Sequence, residues 1–421
     1  MSQRLPLACR ESMDVSSLSL QQLPNGVCFL SERVPGRRQV AISVTALRGS
    51  RHQQAEENGF AHLLEHMLFK GAKGRDASAI NRLGERLGGT LNAFTDRETV
   101  TLHLTVLAED QAAGLDLLAD LLLEPSLTAA DLALERTVVA QEIAMAQEDL
   151  EDHLQELATQ SFWEEDPLGW PVLGKASLVR RVSARRLRDF HQHYLATAPI
   201  VIVAVGALDA DSLARQVESR FAYLPARPKA TALTLPTANF ATRQRRSAHA
   251  RQAHLLWMAQ ASAFADRNHL IELFANHILG AGMASRLFQE LRERRGLAYQ
   301  TYSQLEALSD TAEWTLYAAV PADKRRGTEK AIAGILKALM EDGPSTEEMD
   351  WSRAGLRKQW LLGQEDLETR MARRVRQLAQ GGSLKSEEEI LDSIQQVSAV
   401  QVQEVLARAW AQRLEWTVLP A

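Results

Sequence analysis

The spacing of hydrophobic residues along the chain predicts strands that alternate with helices. Residues 99–104 alternate between polar and apolar side chains, as a half-buried strand does, whereas residues 199–206 are rich in β-branched residues and predict a fully buried strand. Residues 60–71 carry apolar side chains at helical spacing and are bordered by glycines suited to helix ends. Residues 134–152 contain neither Gly nor Pro and predict one long helix.

The same order of predicted elements occurs twice. Each half has an early strand, at residues 40–47 and 253–261, followed by a helix, further strands and a largely helical region. Residues 224–243 are proline-rich and have no clear period, which predicts a linker. We therefore predict an α+β fold with two homologous domains related by duplication, at residues 1–223 and 244–421. Each is predicted to be an α/β-sandwich-type domain in which a mostly antiparallel sheet packs against helices.

Candidate chemistry is concentrated in residues 60–71, where His62, Glu65 and His66 stand in the order H-x-x-E-H. In a helix, His62 and His66 lie one turn apart on one face, with Glu65 beside them. Two imidazoles at that spacing bind one zinc ion, and the carboxylate transfers a proton. This order is the signature of the zinc hydrolases called inverzincins and predicts a metallopeptidase. The alternative is a buried amphipathic helix without a metal.

A catalytic zinc ion takes three protein ligands and keeps one position open, so a third ligand is expected elsewhere. The predicted helix at residues 134–152 offers Glu135, Glu142, Glu148 and Glu151. Glu135 and Glu142 are two turns apart and share a face. Spacing alone does not choose among the four glutamates, and a solvated acidic helix face is the alternative for all of them.

With this motif, the sequence resembles the pitrilysin or insulinase family, and most of all its half-length members such as mitochondrial processing peptidase and related bacterial peptidases. In that family the third zinc ligand is a glutamate placed after the second histidine as Glu142 is placed after His66, at a distance of 76 residues. The resemblance implies one Zn²⁺ per chain, bound by His62, His66 and Glu142. It also implies a functional role for Glu135, which matches a family glutamate two turns before the ligand.

The resemblance extends to residues 88–100, which are similar to the family's edge strand that pairs with an extended peptide substrate. It implies that Asn92, Ala93 and Thr95 contact the substrate. An edge strand has unpaired backbone groups, which bind a peptide backbone without strict sequence preference. The alternative is an ordinary hairpin.

Residues 280–303 are also similar to the family, and they contain Arg292 and Tyr299, seven residues apart. This pair matches one that reaches the substrate near the zinc in relatives. A guanidinium group holds a carbonyl or carboxylate, and a phenol donates to a developing oxyanion. The alternatives are a solvated charge at Arg292 and a core position for Tyr299. The resemblance further implies that Glu65 acts as general base and that Glu135 orients a zinc ligand.

The second half of the chain lacks the complete motif. Aligning residues 60–69 with residues 271–280 retains one histidine, His277, but places Asn276 and Leu273 where the motif has its glutamate and first histidine. That copy has too few ligands for the same zinc site. We therefore predict one metal in the N-terminal half and a substrate-binding, scaffolding role for the C-terminal half.

Composition narrows the class of protein and the expected compartment. A net charge of −5 gives no basic footprint for nucleic acid, and no apolar run reaches the roughly 18 residues of a membrane span. Two cysteines, Cys9 and Cys28, suit a reducing compartment. The first residues lack the apolar core of a signal peptide, so we expect the cytoplasm of a bacterium.

Half-length relatives pair two chains around a closed chamber. The resemblance therefore implies a homodimer, or a heterodimer with a related chain, that hydrolyses short or unfolded peptides. The sequence leaves two alternatives open. One is a dedicated processing peptidase that cuts a ribosomally made precursor peptide together with a partner chain. The other is a non-catalytic structural or assembly subunit, which is disfavoured because all five residues expected at the zinc site are present: His62, Glu65, His66, Glu135 and Glu142.

Overall fold

The computed structural model describes residues 13–15, 18–226, 235–381 and 383–421. The chain divides into two compact units, each built from three segments of sequence. Unit 1 comprises Met1–Ala144, Trp170–Leu233 and Gly363–Leu384, and unit 2 comprises Met145–Gly169, Thr234–Leu362 and Lys385–Ala421.

Unit 1 contains a seven-stranded sheet and a separate two-stranded one. The strands are β1 (Met13–Val15), β2 (Leu18–Gln22), β3 (Cys28–Arg33), β4 (Gln39–Ala46), β5 (Gly71–Ala72), β6 (Arg75–Asp76), β7 (Asn92–Thr95), β8 (Val100–Leu107) and β9 (Ile200–Gly206). The large sheet has the order β1-β2-β3-β9-β4-β8-β7, while β5 pairs with β6. Strands β3 and β9 run parallel, and the other neighbours in the large sheet run antiparallel.

Helices fill most of the remaining first half of the chain. They are α1 (Phe60–Leu68), α2 (Ala77–Arg86), α3 (Gln111–Leu123), α4 (Ala129–Glu148), α5 (Leu150–Trp163), α6 (Ala176–Val179), α7 (Ala184–Phe190) and α8 (Ala210–Phe221). Helix α7 continues directly into a π-helical turn, His191–Leu195.

The second half forms a five-stranded sheet and six further α-helices among the described residues. The strands are β10 (Thr242–Ser247), β11 (Ala253–Ala261), β12 (Gln300–Ala307), β13 (Ala312–Val320) and β14 (Leu414–Pro420). The helices are α9 (His269–Leu279), α10 (Arg325–Glu341), α11 (Thr346–Glu365), α12 (Leu367–Ala379), α13 (Glu387–Gln396) and α14 (Ala399–Ala409). The segment Phe288–Arg294 is π-helical. In the described ranges, no helix has the length and apolar character needed to cross a membrane.

The two sheets share one topology. The order β3-β9-β4-β8-β7 of unit 1 reappears as β10-β14-β11-β13-β12 in unit 2. In each set the first pair is parallel and the following pairs are antiparallel. The predicted α+β fold with duplicated, mostly antiparallel sheets is confirmed.

Both faces of the central strands are buried. Along β9, Ile200 and Ile202 face the large helical layer that includes α1, whereas Val201 and Val203 face the other side of the sheet. Successive side chains of a strand point to opposite faces, so a strand covered on both sides needs a continuous apolar run. This explains why the predicted buried strand has no polar alternation.

In each unit, the second face of the sheet is covered by a helix that comes from the other half of the chain. In unit 1, α12 packs against the β9 face that carries Val201 and Val203. In unit 2, α5 packs through Phe162 and Trp163 against Leu256 of β11. The compact units therefore depart from a division into residues 1–223 and 244–421. A helix's own periodicity marks its apolar face but not the sheet that this face covers.

Two boundaries also differ from expectation. The single helix predicted for residues 134–152 breaks at Asp149, whose carboxylate accepts hydrogen bonds from the backbone N–H groups of Glu151 and Asp152 and caps α5. Of the predicted linker at 224–243, residues 227–234 lie outside the described part of the chain, and its last two residues belong to β10.

A buried ion-pair cluster fastens α12 to unit 1. Glu32 on β3 is 2% exposed, and its carboxylate accepts from Arg370 at 2.6 Å and from Arg374 at 2.7 Å. Burial alone raises the pKa of Glu32, but hydrogen bonds and charge from the two arginines outweigh it and hold the pKa below its ordinary value. The charged carboxylate is therefore the form that the fold stabilises.

We expect Glu32→Gln to lower the free energy of unfolding at neutral pH by about 3 kcal/mol, because two guanidinium groups lose their anion. Since the folded-state pKa lies below 4.5, this stabilisation is present above about pH 4.5 and is lost as the pH falls through the folded-state value. Urea unfolding at neutral and acidic pH measures both effects. The control is Glu365→Gln at the exposed pair with Arg37, expected to cost under about 1 kcal/mol. Equal effects of the two variants would contradict the expectation.

Candidate metal centre

Helix α1 presents its apolar side to the core of unit 1. The buried side chains are Phe60, Leu63, Leu64, Met67 and Leu68. The helix begins after Gly59, whose φ of +93° lies in the left-handed region that favours glycine. A Cβ at Gly59 would lie 2.8 Å from the Cα of Gly174, so close backbone packing fixes the start of the helix. The predicted motif helix is confirmed.

The opposite side of α1 carries His62 and His66, whose ring centroids are 4.7 Å apart. Glu142 of α4 faces both imidazoles: its Oε2 lies 3.7 Å from His62 Nε2 and 3.5 Å from His66 Nε2. In the described part of the chain, this is the one group of His, Cys, Asp or Glu whose three ligand atoms all lie within 4.8 Å of one another. The fold therefore brings together the three residues predicted as ligands.

The two other glutamates considered as ligands lie outside this group. Glu148 is the last residue of α4 and is exposed. Glu151 belongs to α5 and accepts hydrogen bonds from Gln300 and Tyr302 within unit 2. The break at Asp149 thus places Glu151 in a different helix from Glu142.

The electrostatics of the cluster suit a metal ion. Burial, and to a lesser extent the neighbouring His66, lowers the pKa of His62 to about 4, so this imidazole is neutral at pH 7. A neutral imidazole offers a lone pair for coordination. Two imidazole nitrogens and one carboxylate oxygen are a donor set of catalytic zinc sites. The residues present therefore fit zinc.

Glu65 lies beside the imidazoles and is held from the edge strand. Its Oε2 accepts a hydrogen bond of 2.7 Å from Thr95 Oγ1. Burial raises the pKa of Glu65 above its ordinary value, and the hydrogen bond from Thr95 and the charge of His66 offset part of that rise. A carboxylate with a raised pKa is better matched to proton transfer near neutral pH.

Glu135, two turns before Glu142 on α4, contacts the second imidazole from behind. Its Oε2 lies 3.1 Å from His66 Nδ1, and its Oε1 lies 2.6 Å from Lys70 Nζ. Such an outer carboxylate sets the tautomer and direction of a ligating histidine. The position of Glu135 agrees with the orienting role that the family resemblance implied.

Strand β7 lies at one edge of the sheet. It pairs with β8 on one side, through Asn92 opposite His103 and Ala93 opposite Leu102. Ala93 is buried and Asn92 is exposed, while the Asn92 side chain accepts from the N–H of Ala93 at 2.9 Å. The predicted edge strand is confirmed, and Thr95 is the residue of this strand that reaches the motif.

Arg292 and Tyr299 lie side by side in unit 2. The guanidinium carbon of Arg292 is 4.8 Å from the ring centroid of Tyr299 and 4.8 Å from that of Phe288. Tyr299 is 80% exposed, so it is a surface residue rather than a core residue. The Arg292 guanidinium group therefore makes a cation–π contact with an exposed ring.

The residues in the second copy of the motif make structural contacts. In α9, the Oδ1 of Asn276 accepts from Ser303 at 2.7 Å and from the indole N–H of Trp314 at 3.0 Å. His277 Nδ1 lies 3.0 Å from the hydroxyl of the buried Ser352. These contacts bind core elements together, and the described part of unit 2 has no metal-ligand cluster.

Comparison with known proteins decides the family. A model described as insulinase (peptidase family M16) matches residues 28–176, and one described as peptidase M16 inactive domain matches residues 181–356. The uncharacterized zinc protease YmxG of Bacillus subtilis is 31% identical over 380 residues, which cover 90% of this chain and 92% of that protein. The chain belongs to peptidase family M16. The matched inactive domain contains the degenerate motif copy of α9.

Further similarities agree with this membership. An uncharacterized zinc protease of Mycobacterium tuberculosis is 32% identical over 94% of this chain and 92% of its own length. A protease structure from Helicobacter pylori superposes with a TM-score of 0.88 at 19% identity, covering 96% of this chain and 99% of that one. A structure from Pseudomonas fluorescens described as peptidase M16 inactive domain gives 0.87 at 20% identity, covering 96% and 98%. These two structures have the same fold as this chain.

Two contacts of the site were not predicted from sequence. Thr95, which is predicted to contact the substrate, also donates a hydrogen bond from its hydroxyl to Glu65. Lys70, which follows the motif helix, pairs with Glu135. The lysine lies four residues after the second motif histidine. This spacing predicts the contact with Glu135 only if the directions of α1 and α4 are already known.

We expect Thr95→Val to raise the pKa of Glu65 further, because it removes a hydrogen bond that favours the charged carboxylate. The measurement is a pH titration of labelled glutamate carboxyls by ¹³C NMR in the metal-free protein. The control is Thr105→Val, which removes a hydroxyl donor to Glu368 and leaves Glu65 unchanged. A pKa of Glu65 that stays the same or falls would show that the hydroxyl has no such effect.

Proposed function

We propose that this chain is a zinc-dependent endopeptidase that hydrolyses short peptides or unfolded polypeptide segments. The observation that carries the proposal is the convergence of His62, His66 and Glu142 beside Glu65. The zinc proteases named among its relatives support the choice of metal and of reaction class. We infer one zinc ion per chain, with the single ligand cluster among the described residues as support.

The roles of the side chains follow from their positions. His62, His66 and Glu142 would hold the metal, which when bound supplies a Lewis acid that polarises a carbonyl and acidifies water. Glu65 is not needed as a ligand and is free to take a proton from the attacking water and deliver it to the leaving amine. Thr95 holds Glu65 in place through the 2.7 Å hydrogen bond.

The substrate backbone is proposed to add to the edge of β7 that has no partner strand among the described residues, near Asn92 and Ala93. Addition to a strand edge reads backbone groups, so it accepts many sequences but requires an extended chain. A stably folded protein does not offer such a segment. We assign the half-buried Arg292 and the exposed Tyr299 to substrate binding, with support from the family resemblance.

We expect Glu65→Gln to lower kcat for a fluorogenic peptide by at least about 100-fold, because the general base is lost. Zinc content, measured by mass spectrometry, should remain that of the unmodified protein, because the three ligands are intact. Glu85→Gln, at an exposed position of α2, serves as the control and should change neither quantity. A zinc-loaded protein whose hydrolysis does not depend on Glu65 would sink the proposal.

We further propose that two chains pair to form the active enzyme, as homodimer or with a related chain. The support is the resemblance to half-length relatives and the presence of Arg292 and Tyr299 in the same chain as the intact motif. Light scattering of the active fraction should give about twice the 46.8 kDa chain mass. Full activity in a monomeric fraction, or rapid cleavage of a large, stably folded protein, would argue against a paired chamber.

A further inference from the structure

Lys70 lies at the metal centre and has no part in the proposed binding of zinc or substrate. It is half-buried, and its Nζ lies 2.6 Å from Glu135 Oε1. Glu135 itself is 4% exposed and turns its other oxygen to His66 Nδ1 at 3.1 Å. The ammonium group, the carboxylate and the imidazole thus form a continuous row that ends at a proposed zinc ligand.

The backbone fixes Lys70 at this place. The lysine follows the end of α1, where its N–H donates to the carbonyl of Met67 at 3.2 Å. The next residue, Gly71, accepts from the N–H of Ser126 at 2.8 Å, and a Cβ on Gly71 would lie 2.8 Å from the Ser126 hydroxyl. Lys70 is therefore held between the end of α1 and the segment that leads into α4, the helix that carries Glu135.

The two imidazoles are supported unequally. His62 Nδ1 is buried and has no hydrogen-bond partner among the described residues. His66 Nδ1 is hydrogen-bonded to Glu135, so the orientation of the His66 ring depends on this carboxylate. A carboxylate bound at both oxygens cannot turn, whereas one bound at a single oxygen can rotate away from the imidazole.

The second copy of the motif serves as an internal comparison. His277 takes the place of His66 and keeps a partner at Nδ1, the Ser352 hydroxyl at 3.0 Å. Glu135 and Ser352 are both the seventh residue of their 20-residue helices. At the position of Lys70, the alignment places Ala281. The carboxylate and the cation are therefore absent together where the metal ligands are absent, although the imidazole contact remains.

We propose that Lys70 is a positioning residue of the metal site, which fixes the Glu135 carboxylate so that His66 keeps its Nδ1 bonded and its Nε2 directed at the metal. The proposal rests on the proposed function of the site as a zinc centre. Partners of this kind, outside the ligands themselves, typically change metal affinity by about 10- to 100-fold. Lys70 acts through Glu135 and does not touch the metal.

The test is the zinc dissociation constant, measured by competition with a chromophoric chelator. We expect Lys70→Met to weaken zinc binding about tenfold and Lys70→Arg to restore most of that loss, because a cation again meets Glu135. Glu135→Gln should weaken binding similarly, and the double variant should lose no more than the worse single one. The control is Lys73→Met, whose partner Asp120 keeps Arg75 and Arg220, and zinc binding should be unchanged.

A second readout separates this proposal from the proposed function. In the metal-free protein, ¹⁵N NMR of the imidazoles should show a fixed tautomer at His66 that Lys70→Met disturbs and Lys73→Met does not. Unchanged zinc affinity and an unchanged His66 spectrum in Lys70→Met would overturn the positioning role, as would additive losses in the double variant. An unmodified protein that binds no zinc would overturn the proposed function instead, while the His66 spectrum still decides the role of Lys70.

Discussion

Burial of the central strands on both faces is the constraint on which the rest of the structure depends. Strand β9 has apolar side chains on both sides, so helices must cover the sheet twice. Helix α1 contributes to one of these layers and is pinned there by its apolar side. Its other side, with His62 and His66, is consequently turned towards α4 and Glu142. The geometry of the metal centre is thus a result of core packing.

The duplicated units separate what the fold requires from what the chemistry requires. Both units have the same strand order and the same strand directions. In both, a helix of the motif type follows an equivalent strand: α1 follows β4, and α9 follows β11. An imidazole with a hydrogen-bonded Nδ1 also occurs in both, at His66 and His277. The ionised groups around it differ. In unit 2 the place of Glu65 is taken by Asn276, whose hydrogen bonds to Ser303 and Trp314 stabilise the core.

Features determined by residues close together in the sequence were predictable, whereas features determined by contacts between distant segments were not. The motif and its helix were predictable because His62 and His66 lie within one turn, and the duplicated order because it repeats in the periodic pattern. Family resemblance, not periodicity, selected Glu142. The placement of α5 and α12 was not predictable, since an apolar helix face fits either of two similar sheets. The contacts of Lys70 and Thr95 depend on side-chain directions that exist only in the folded chain.

The placement of α12 has a consequence for how the protein is made. The face of β9 with Val201 and Val203 is covered by a helix at Leu367–Ala379, which leaves the ribosome long after the strand itself. Unit 1 therefore carries an open apolar surface for much of translation, a state prone to aggregation. Helix α5, in contrast, is synthesised before every strand of the sheet that it covers. The two halves share one strand topology, yet neither completes its fold alone during synthesis.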